Sequence, residues 1–290
     1  MPDPLQLFVI ARDDSPRVQE AWDEVRSVLK RRKGVEVLAV SSAGDAEEER
    51  PDGAELAVVI GGDGAILRAC RAFGDRQIPI LGVNAGRLGF LADLSPADFR
   101  ANIRQIESRN YSIARHLMFA CEHHRTDGEV ETHLGLNEAA ILSAGALQMI
   151  DVHLEIDGRE VTTYSSDGLI VSTPVGSTAH SLSAGGPILR QDLQAFVVTP
   201  ICPHTLTVRP LVDGADCVYR LTVPRAADGV MLVIDGQIKT PFGSHDAAIV
   251  RRADVAFQLA RIPGHSYYGT LHRKLGWAGQ PRYRTDLHSD

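Results

Sequence analysis

A chain of 290 residues, 44% apolar and 23% charged, has the composition of an ordinary globular protein and room for two domains or one large one. Its net charge of -7 excludes a broad phosphate-backbone footprint, which makes nucleic acid an unexpected partner but leaves room for a local nucleotide pocket. Neither the opening MPDPLQLFVIARDD nor any later stretch has the pattern of a signal peptide or the ~20 apolar residues of a membrane span, and four scattered cysteines without CxxC spacing (Cys70, Cys121, Cys202, Cys217) read as free thiols in a reducing cytoplasm.

LQLFVIA predicts a buried strand, and Ser15-Pro16 an N-cap and first helical residue for an amphipathic helix running to about Lys33. Gly34 ends that helix and VEVLAV is a second strand. SSAGDAEEERPDGA, acidic and turn-rich, reads as a solvated loop or a short helix. Leu56–Ile60 is a third strand, Ala65–Phe73 a helix and IPILGV a fourth strand; Ser95-Pro96 opens a further helix ending near Arg109. Such alternation predicts an α/β domain with a parallel sheet and helices on its faces. From Tyr111 the rhythm changes. DVHLEIDGREVTTY alternates around Asp157-Gly158 as a hairpin, and CVYRLTVPRAADGVMLVIDGQIKTPF turns at Asp228-Gly229 and Asp235-Gly236. The second half is therefore expected to be a β-rich domain, with the boundary near residue 110: an α/β domain over 1–110 and a β-rich domain over 111–261.

Gly61-Gly62-Asp63-Gly64 joins the third strand to its helix. There the first-turn N–H groups are unpaired, the helix dipole favours anions, and glycine lets a phosphate approach the backbone. No Gly-Lys-Ser/Thr follows, so this is not a Walker A loop; the third glycine of a Rossmann fingerprint is replaced by Leu67. A tight turn with a solvated aspartate fits the spacing as well as a phosphate loop does. A carboxylate at an anion site needs a task, and the usual ones are holding Mg²⁺ or accepting a proton from an attacking hydroxyl.

Ser165–Leu189, SSDGLIVSTPVGSTAHSLSAGGPIL, follows a short strand with dense hydroxyls and glycines, which suit phosphate, ribose and adenine edges; a Ser/Thr-rich surface loop is the plainer alternative. Ser183, in Ser-Leu-Ser-Ala-Gly, is one glycine short of a hydrolase elbow. Asn137-Glu138 can read a ribose diol or an adenine amino group, or cap a helix. TPICPHTLTVRPLV is rigid through Pro200, Pro203 and Pro210, with His204 structural, and His123-His124 read as surface residues without zinc-like partners.

Taken together, GGDG (Gly61–Gly64), LGVNAGRLGFLAD (Leu81–Asp93), Asn137-Glu138, DGLIVSTPVGSTAHSLSAGGPI (Asp167–Ile188), TPICPHTLTVRPLV (Thr199–Val212) and DGQ (Asp235–Gln237) resemble the NAD kinase family in order and spacing. The resemblance implies a two-domain architecture with the nucleotide site between the domains, and a C-terminal segment (262–290, around Trp277) packing back on the first domain. It implies transfer of the ATP γ-phosphoryl group to the 2′-hydroxyl of the NAD adenosine ribose, with NAD and ATP as substrates, Mg²⁺ or another divalent cation accompanying ATP, and homodimers or homotetramers. By matching position, Asp63 is the catalytic base or Mg²⁺-organising carboxylate, and Gly64 and Arg68 lie at the phosphates. Phe90, Asn137, Glu138 and Asp167 line the NAD site; Thr178, Ala179, His180, Ser181, Leu182 and Ser183 follow its adenosine half. Val175 and Gln237 fall at further nucleotide-contact positions, and no set of protein metal ligands is implied. The chain departs from the family's usual Thr after GGDG (Ala65), Thr at Val175 and Tyr at His180. A hydroxyl lost beside a phosphate removes a hydrogen bond worth ~0.5–1.5 kcal/mol. Three rival readings are a lipid or sugar kinase using the same loop, a non-catalytic NAD/NADP sensor, and a serine hydrolase built on Ser183.

Overall fold

The computed structural model describes residues 3–12, 15–86, 89–143, 149–205, 207–264 and 267–276. Four parallel strands, β1 (Leu5–Arg12), β2 (Val35–Ser42), β3 (Leu56–Gly61) and β4 (Ile80–Asn84), lie in the order β2-β1-β3-β4. Alternate side chains of β1 serve opposite faces. Leu7 and Val9 pack with Val18 and Val25 of α1 (Pro16–Leu29) and Phe99 and Ile103 of α3 (Pro96–Glu107), whereas Phe8 and Ile10 pack with Ile66 and Phe73 of α2 (Asp63–Phe73). A strand buried on both faces is apolar along its buried length, which is why β3, β4 and the middle of β1 read as unbroken hydrophobic runs, whereas the edge strand β2 is only partly buried. Ser95 closes a capping box with Asp98 at the start of α3, as its Ser-Pro pair predicts. Helix α1 ends at Leu29, four residues short of the predicted limit, and the acidic stretch after β2 forms turns with no helix.

The remaining strands are β5 (Ser112–His124), β6 (Val130–Gly135), β7 (Glu138–Ser143), β8 (Ile150–Ile156), β9 (Arg159–Ser166), β10 (Gly168–Ser172), β11 (Ala195–Ile201), β12 (Leu211–Gly214), β13 (Tyr219–Thr222), β14 (Val230–Ile234), β15 (Ile238–Pro241) and β16 (Ala247–Arg261); α4 (His180–Ser183) is a single turn and α5 (Tyr267–Leu275) closes the described chain. Strands β12-β11-β10-β7-β14-β15 form one antiparallel sheet. It packs face to face on β5, β8, β13 and part of β16 through a core that includes Phe119, Tyr219, Phe196, Leu169 and Ile141. The parallel sheet does not stop at β4. Leu259 of β16 pairs with Ile80 of β4, and β16 then pairs along most of its length with β5 and carries β13, β8 and β9, so one mixed ten-stranded sheet runs through both halves of the molecule.

His123, expected at the surface, is fully buried: its Nε2 lies 3.0 Å from Asp246 Oδ2 and its ring stacks on Phe242. Strand alternation in β5 turns it inward, and the carboxylate of Asp246 satisfies its polar edge. The segment around Trp277 lies outside the described residues. No helix among the described residues is long and apolar enough to cross a membrane.

Gly82 in β4 has no room for a side chain. A Cβ there would lie 2.7 Å from Ile66 Cδ1 and 2.8 Å from the Ala92 backbone. Gly82→Ala is expected to overpack this seam and cost ~1–3 kcal/mol, read as a Tm lower by several degrees in a thermal melt.

Candidate active site

Segments far apart in sequence meet where α2 begins. Gly61 ends β3, Gly62 is the N-cap and Asp63 is the first helical residue. The sequence reading started this helix two residues later; the difference puts the Asp63 carboxylate in the first turn, where free amides and the dipole favour an anion. Asp63 is not a solvated turn residue. Its Oδ2 accepts from the Phe90 amide at 2.8 Å, and its Oδ1 from the amides of Leu91 and Ala92 at 3.0 Å each. Asn84 shapes the loop that supplies them, donating to the Ala92 carbonyl and accepting from the Gly86 amide. A Cβ on Gly89 would lie 2.0 Å from Asp63 Oδ1, so the close approach requires glycine. A carboxylate offers about four acceptor positions; with one amide on Oδ2 and two on Oδ1, Oδ2 keeps one for an incoming hydroxyl or cation.

A second carboxylate is held in the same way. Asp235, in the turn between β14 and β15 at φ 50°, accepts from the amides of Leu136, Asn137 (2.7 Å) and Glu138. Its other partner is the Arg71 guanidinium of α2, at 3.1 Å. The Asp-Gly turn is as predicted, but the side chain points into the protein. Arg71 also donates to Gln237 Oε1, and Gln237 Nε2 donates to the Gly64 carbonyl at 3.0 Å. GGDG, Asn137-Glu138 and DGQ thus form one bonded cluster.

Glu138 starts β7, so it caps no helix, and only 5% of it is exposed. Its Oε2 has no hydrogen-bond partner among the described residues. Burial, and then the neighbouring Asp235 charge, push its carboxyl up to about 8. Burial also pushes Asp235 up, but the three amides and Arg71 oppose that shift.

Many hydroxyls of the Ser/Thr-Gly segment are bonded within the protein, to the segment itself and to the neighbouring Leu136–Asn137 carbonyls and Thr199. Ser172 donates to the Asn137 carbonyl, Thr173 to the Leu136 carbonyl, Ser177 to the Pro174 carbonyl and Thr178 to the Val175 carbonyl; Ser181 bonds Thr199. They hold the loop against Asn137-Glu138. Val175 is buried in the same hydrophobic cluster as Ile66 and Phe257. Thr178, Ala179 and Leu182 are half-buried, and His180 and Ser183 are exposed on or beside α4. Ser183 ends that turn, eleven residues beyond β10, so no strand-turn-helix elbow exists for it. Asp167 is half-buried, its main chain bonded to Ser143 and Ile201. Phe90 is buried, with Lys274 Nζ of α5 4.1 Å from its ring centroid. Sequence reasoning missed Arg71, and also the Asp93–Arg261 ion pair (3.3 Å), which ties the end of β16 to the Asp63 loop. The signal for Arg71 is its helical position, eight residues after Asp63 and near Gly64 and Arg68 at the flank of the buried face of α2.

A crevice of about 240 Å³, lined by Ile10, Ala11, Gly44, Ala65 and Arg68 among others, opens at the carboxyl ends of β1 and β3. Strand order reverses there, which is where open α/β sheets bind ligands. A neighbouring cavity of about 510 Å³ shares Ala43, Gly44 and Arg68 with it and reaches Arg71 and His133. A further cavity of about 540 Å³, against His116 and the bulge of β16, contains none of these groups.

The family model for the ATP-NAD kinase N-terminal domain matches residues 8–111, and that for the ATP-NAD kinase C-terminal domain matches residues 136–262. The chain is 44% identical over 277 residues to a NAD kinase of Rhodopirellula baltica, covering 96% of this chain and 88% of that protein. It is 36% identical over 278 residues to a NAD kinase of Geobacter metallireducens, covering 94% and 98%. Among solved structures, a NAD kinase from Archaeoglobus fulgidus in complex with ATP superposes with a TM-score of 0.73 at 27% identity, covering 94% of this chain and 99% of that one. A yeast NADH kinase complexed with NADH shares the fold, with a TM-score of 0.83 at 22% identity over 97% and 91%.

Because burial and the Asp235 charge hold the folded carboxyl of Glu138 up at about 8, well above the ordinary carboxylate range, the native state binds its proton more tightly than the unfolded chain. The associated stability is complete below the unfolded value and is lost as the pH rises through the folded one. Glu138→Gln cannot ionise, so its Tm relative to the wild type should rise between about pH 5 and about pH 8.5, measured by calorimetry. Gly89→Ala is expected to push Asp63 from its cradle at a cost of ~1–3 kcal/mol of overpacking, read as a lower Tm in a thermal melt together with lower turnover.

Proposed function

The chain belongs to the NAD kinase family, and on that footing we propose how its side chains share the phosphorylation of NAD, at the 2′-hydroxyl of the adenosine ribose, by ATP. One observation carries the proposal: the α2 N-terminus with its locked Asp63 is joined to the Asn137–Glu138 edge by the chain of bonds Gly64–Gln237–Arg71–Asp235. On the donor side, Gly64 and Arg68 face the triphosphate, with the crevice at the ends of β1 and β3 beside them. On the acceptor side, Phe90, Asn137, Glu138 and Asp167 receive NAD, and Thr178, Ala179, His180, Ser181, Leu182 and Ser183 follow its adenosine half. Val175 acts from the core and Gln237 through its bonds to Gly64 and Arg71.

Phosphoryl transfer depends on positioning and charge neutralisation more than on covalent help. Asp63 orients the 2′-hydroxyl through its remaining Oδ2 acceptor position and takes the proton; in a loose transition state the proton leaves late, so a carboxylate suffices. A divalent cation accompanying ATP would supply charge neutralisation at the phosphates, and the Asp63 carboxylate is the group here that would help to hold it. We place the domain boundary near residue 110, supported by the change from parallel to antiparallel pairing at β5. Association into dimers or tetramers is proposed on the family membership alone.

A lipid or sugar kinase leaves Thr199–Val212 unexplained, and a non-catalytic sensor leaves the Asp63 cradle without use. Incubation with ATP, Mg²⁺ and NAD should yield NADP; parallel reactions with NADH, GTP and polyphosphate define donor and acceptor choice. Asp63→Asn, which sets an NH₂ group against the backbone amides of the cradle, is expected to lose more than about 100-fold in kcat while NAD affinity, by fluorescence titration, stays within about five-fold. Near-wild-type kcat in that variant would remove Asp63 from the chemistry.

A further inference from the structure

The two sides of the transfer site belong to different layers. The Gly-rich loop is carried by α2, which packs on β3 and β4; the Asn137–Glu138 edge hangs from the antiparallel sheet. Something must fix the distance between them. Arg71 and Asp235 span that gap, with side chains only 15% and 0% exposed. One guanidinium nitrogen meets Asp235, the other meets Gln237, and Gln237 returns to the Gly64 carbonyl. Asp235 in turn holds three consecutive amides, Leu136 to Glu138. The bonds close a circuit from α2 through Arg71 and Asp235 to the acceptor edge, with a return through Gln237 to the Gly-rich loop. A planar fork with two donors in fixed relation can transmit orientation as well as charge, which an ammonium cannot. A buried ion pair is weak evidence for stability, since an apolar pair of similar volume often does as well; its value lies in the geometry that it specifies.

We propose that Arg71 and Asp235 are positioning residues for phosphoryl transfer, setting the separation and orientation of the Gly61–Gly64 loop relative to the Asn137–Glu138 edge. The inference rests on the reading that the loop takes the donor and the edge takes NAD. Neither residue touches the reacting atoms. Displacing one reactant by about 1 Å is enough to cost about 100-fold in rate. The loss should therefore appear in kcat, with binding of each nucleotide nearly unchanged.

The test is a double-mutant cycle on the full chain with Arg71→Met, Asp235→Asn and their combination, measuring kcat, KM for ATP, NAD affinity and Tm. Each single variant is expected to lose about 10- to 100-fold in kcat with NAD affinity within about three-fold, and the double variant to be no worse than the weaker single one, since the pair acts as a unit. Arg71→Lys keeps the charge without the fork and should recover about ten-fold of the lost kcat. If Arg71→Met does not fold, Arg71→Lys and Asp235→Asn carry the test by the same kcat-against-affinity criterion. Folded variants with kcat within about two-fold of the wild type, losses confined to affinity, or fully additive losses would each overturn the proposal. A wild-type protein that makes no NADP overturns the functional reading itself, and this inference with it, which separates that failure from failure of the variants alone.

Discussion

A buried carboxylate is tolerated only where donors surround it, and backbone amides away from water need acceptors. The two requirements are met together twice in this protein. Asp63 gathers the amides of Phe90, Leu91 and Ala92; Asp235 gathers those of Leu136, Asn137 and Glu138. In each case three consecutive N–H groups close on one aspartate, and the bound segment is a connection that has no regular ladder at that point. The first device shapes the loop after β4; the second shapes the entry to β7. Between them they fix both walls of the cleft, and Arg71 and Gln237 join the walls.

This arrangement explains why the surrounding sequence is so restricted. The Ser/Thr-Gly segment must lie flush against the Leu136–Asn137 carbonyls, and its hydroxyls are the bonds that hold it there. What the segment leaves at the surface is little: among its hydroxyl and imidazole groups around α4, His180 and Ser183 are exposed, while the Glu138 Oε2 beside it is buried with no hydrogen-bond partner among the described residues. The departures from family habit separate accordingly. Ala65 lines the crevice at the ends of β1 and β3, whereas the Val175 side chain packs among apolar neighbours.

Local order was readable from the chain. The unbroken apolar runs of β1, β3 and β4, the Ser-Pro starts of α1 and α3 and the Asp-Gly hairpins follow from short-range sterics and burial, and they are where the patterns place them. What pattern reading missed depends on partners far away in sequence. His123 alternates inward because Asp246, more than a hundred residues on, accepts from it; Arg71 and Asp235 are separated by 164 positions. Nothing adjacent to either residue encodes the meeting. Even the start of α2, read two residues late, is set by a loop twenty-seven residues downstream that anchors Asp63. Composition leaves two readings open at the hydroxyl-rich segment, because a Ser or Thr that builds a loop is indistinguishable in sequence from one that contacts a ligand.

The path of β16 has a consequence for how the molecule is made. The strand that pairs with the outer edge of β4 is among the last to be synthesised: Ile80 has Ala57 of β3 on one side and Leu259 on the other. A nascent chain that has completed β1 to β4 and all three flanking helices still presents an open strand edge, with unpaired backbone groups, until nearly the whole sequence has left the ribosome. The first half is therefore not independently finished. Its apolar face toward Met118 and Phe257 and its open edge both wait for the second half, so assembly of the nucleotide cleft is the closing event of folding and not a docking of two completed units.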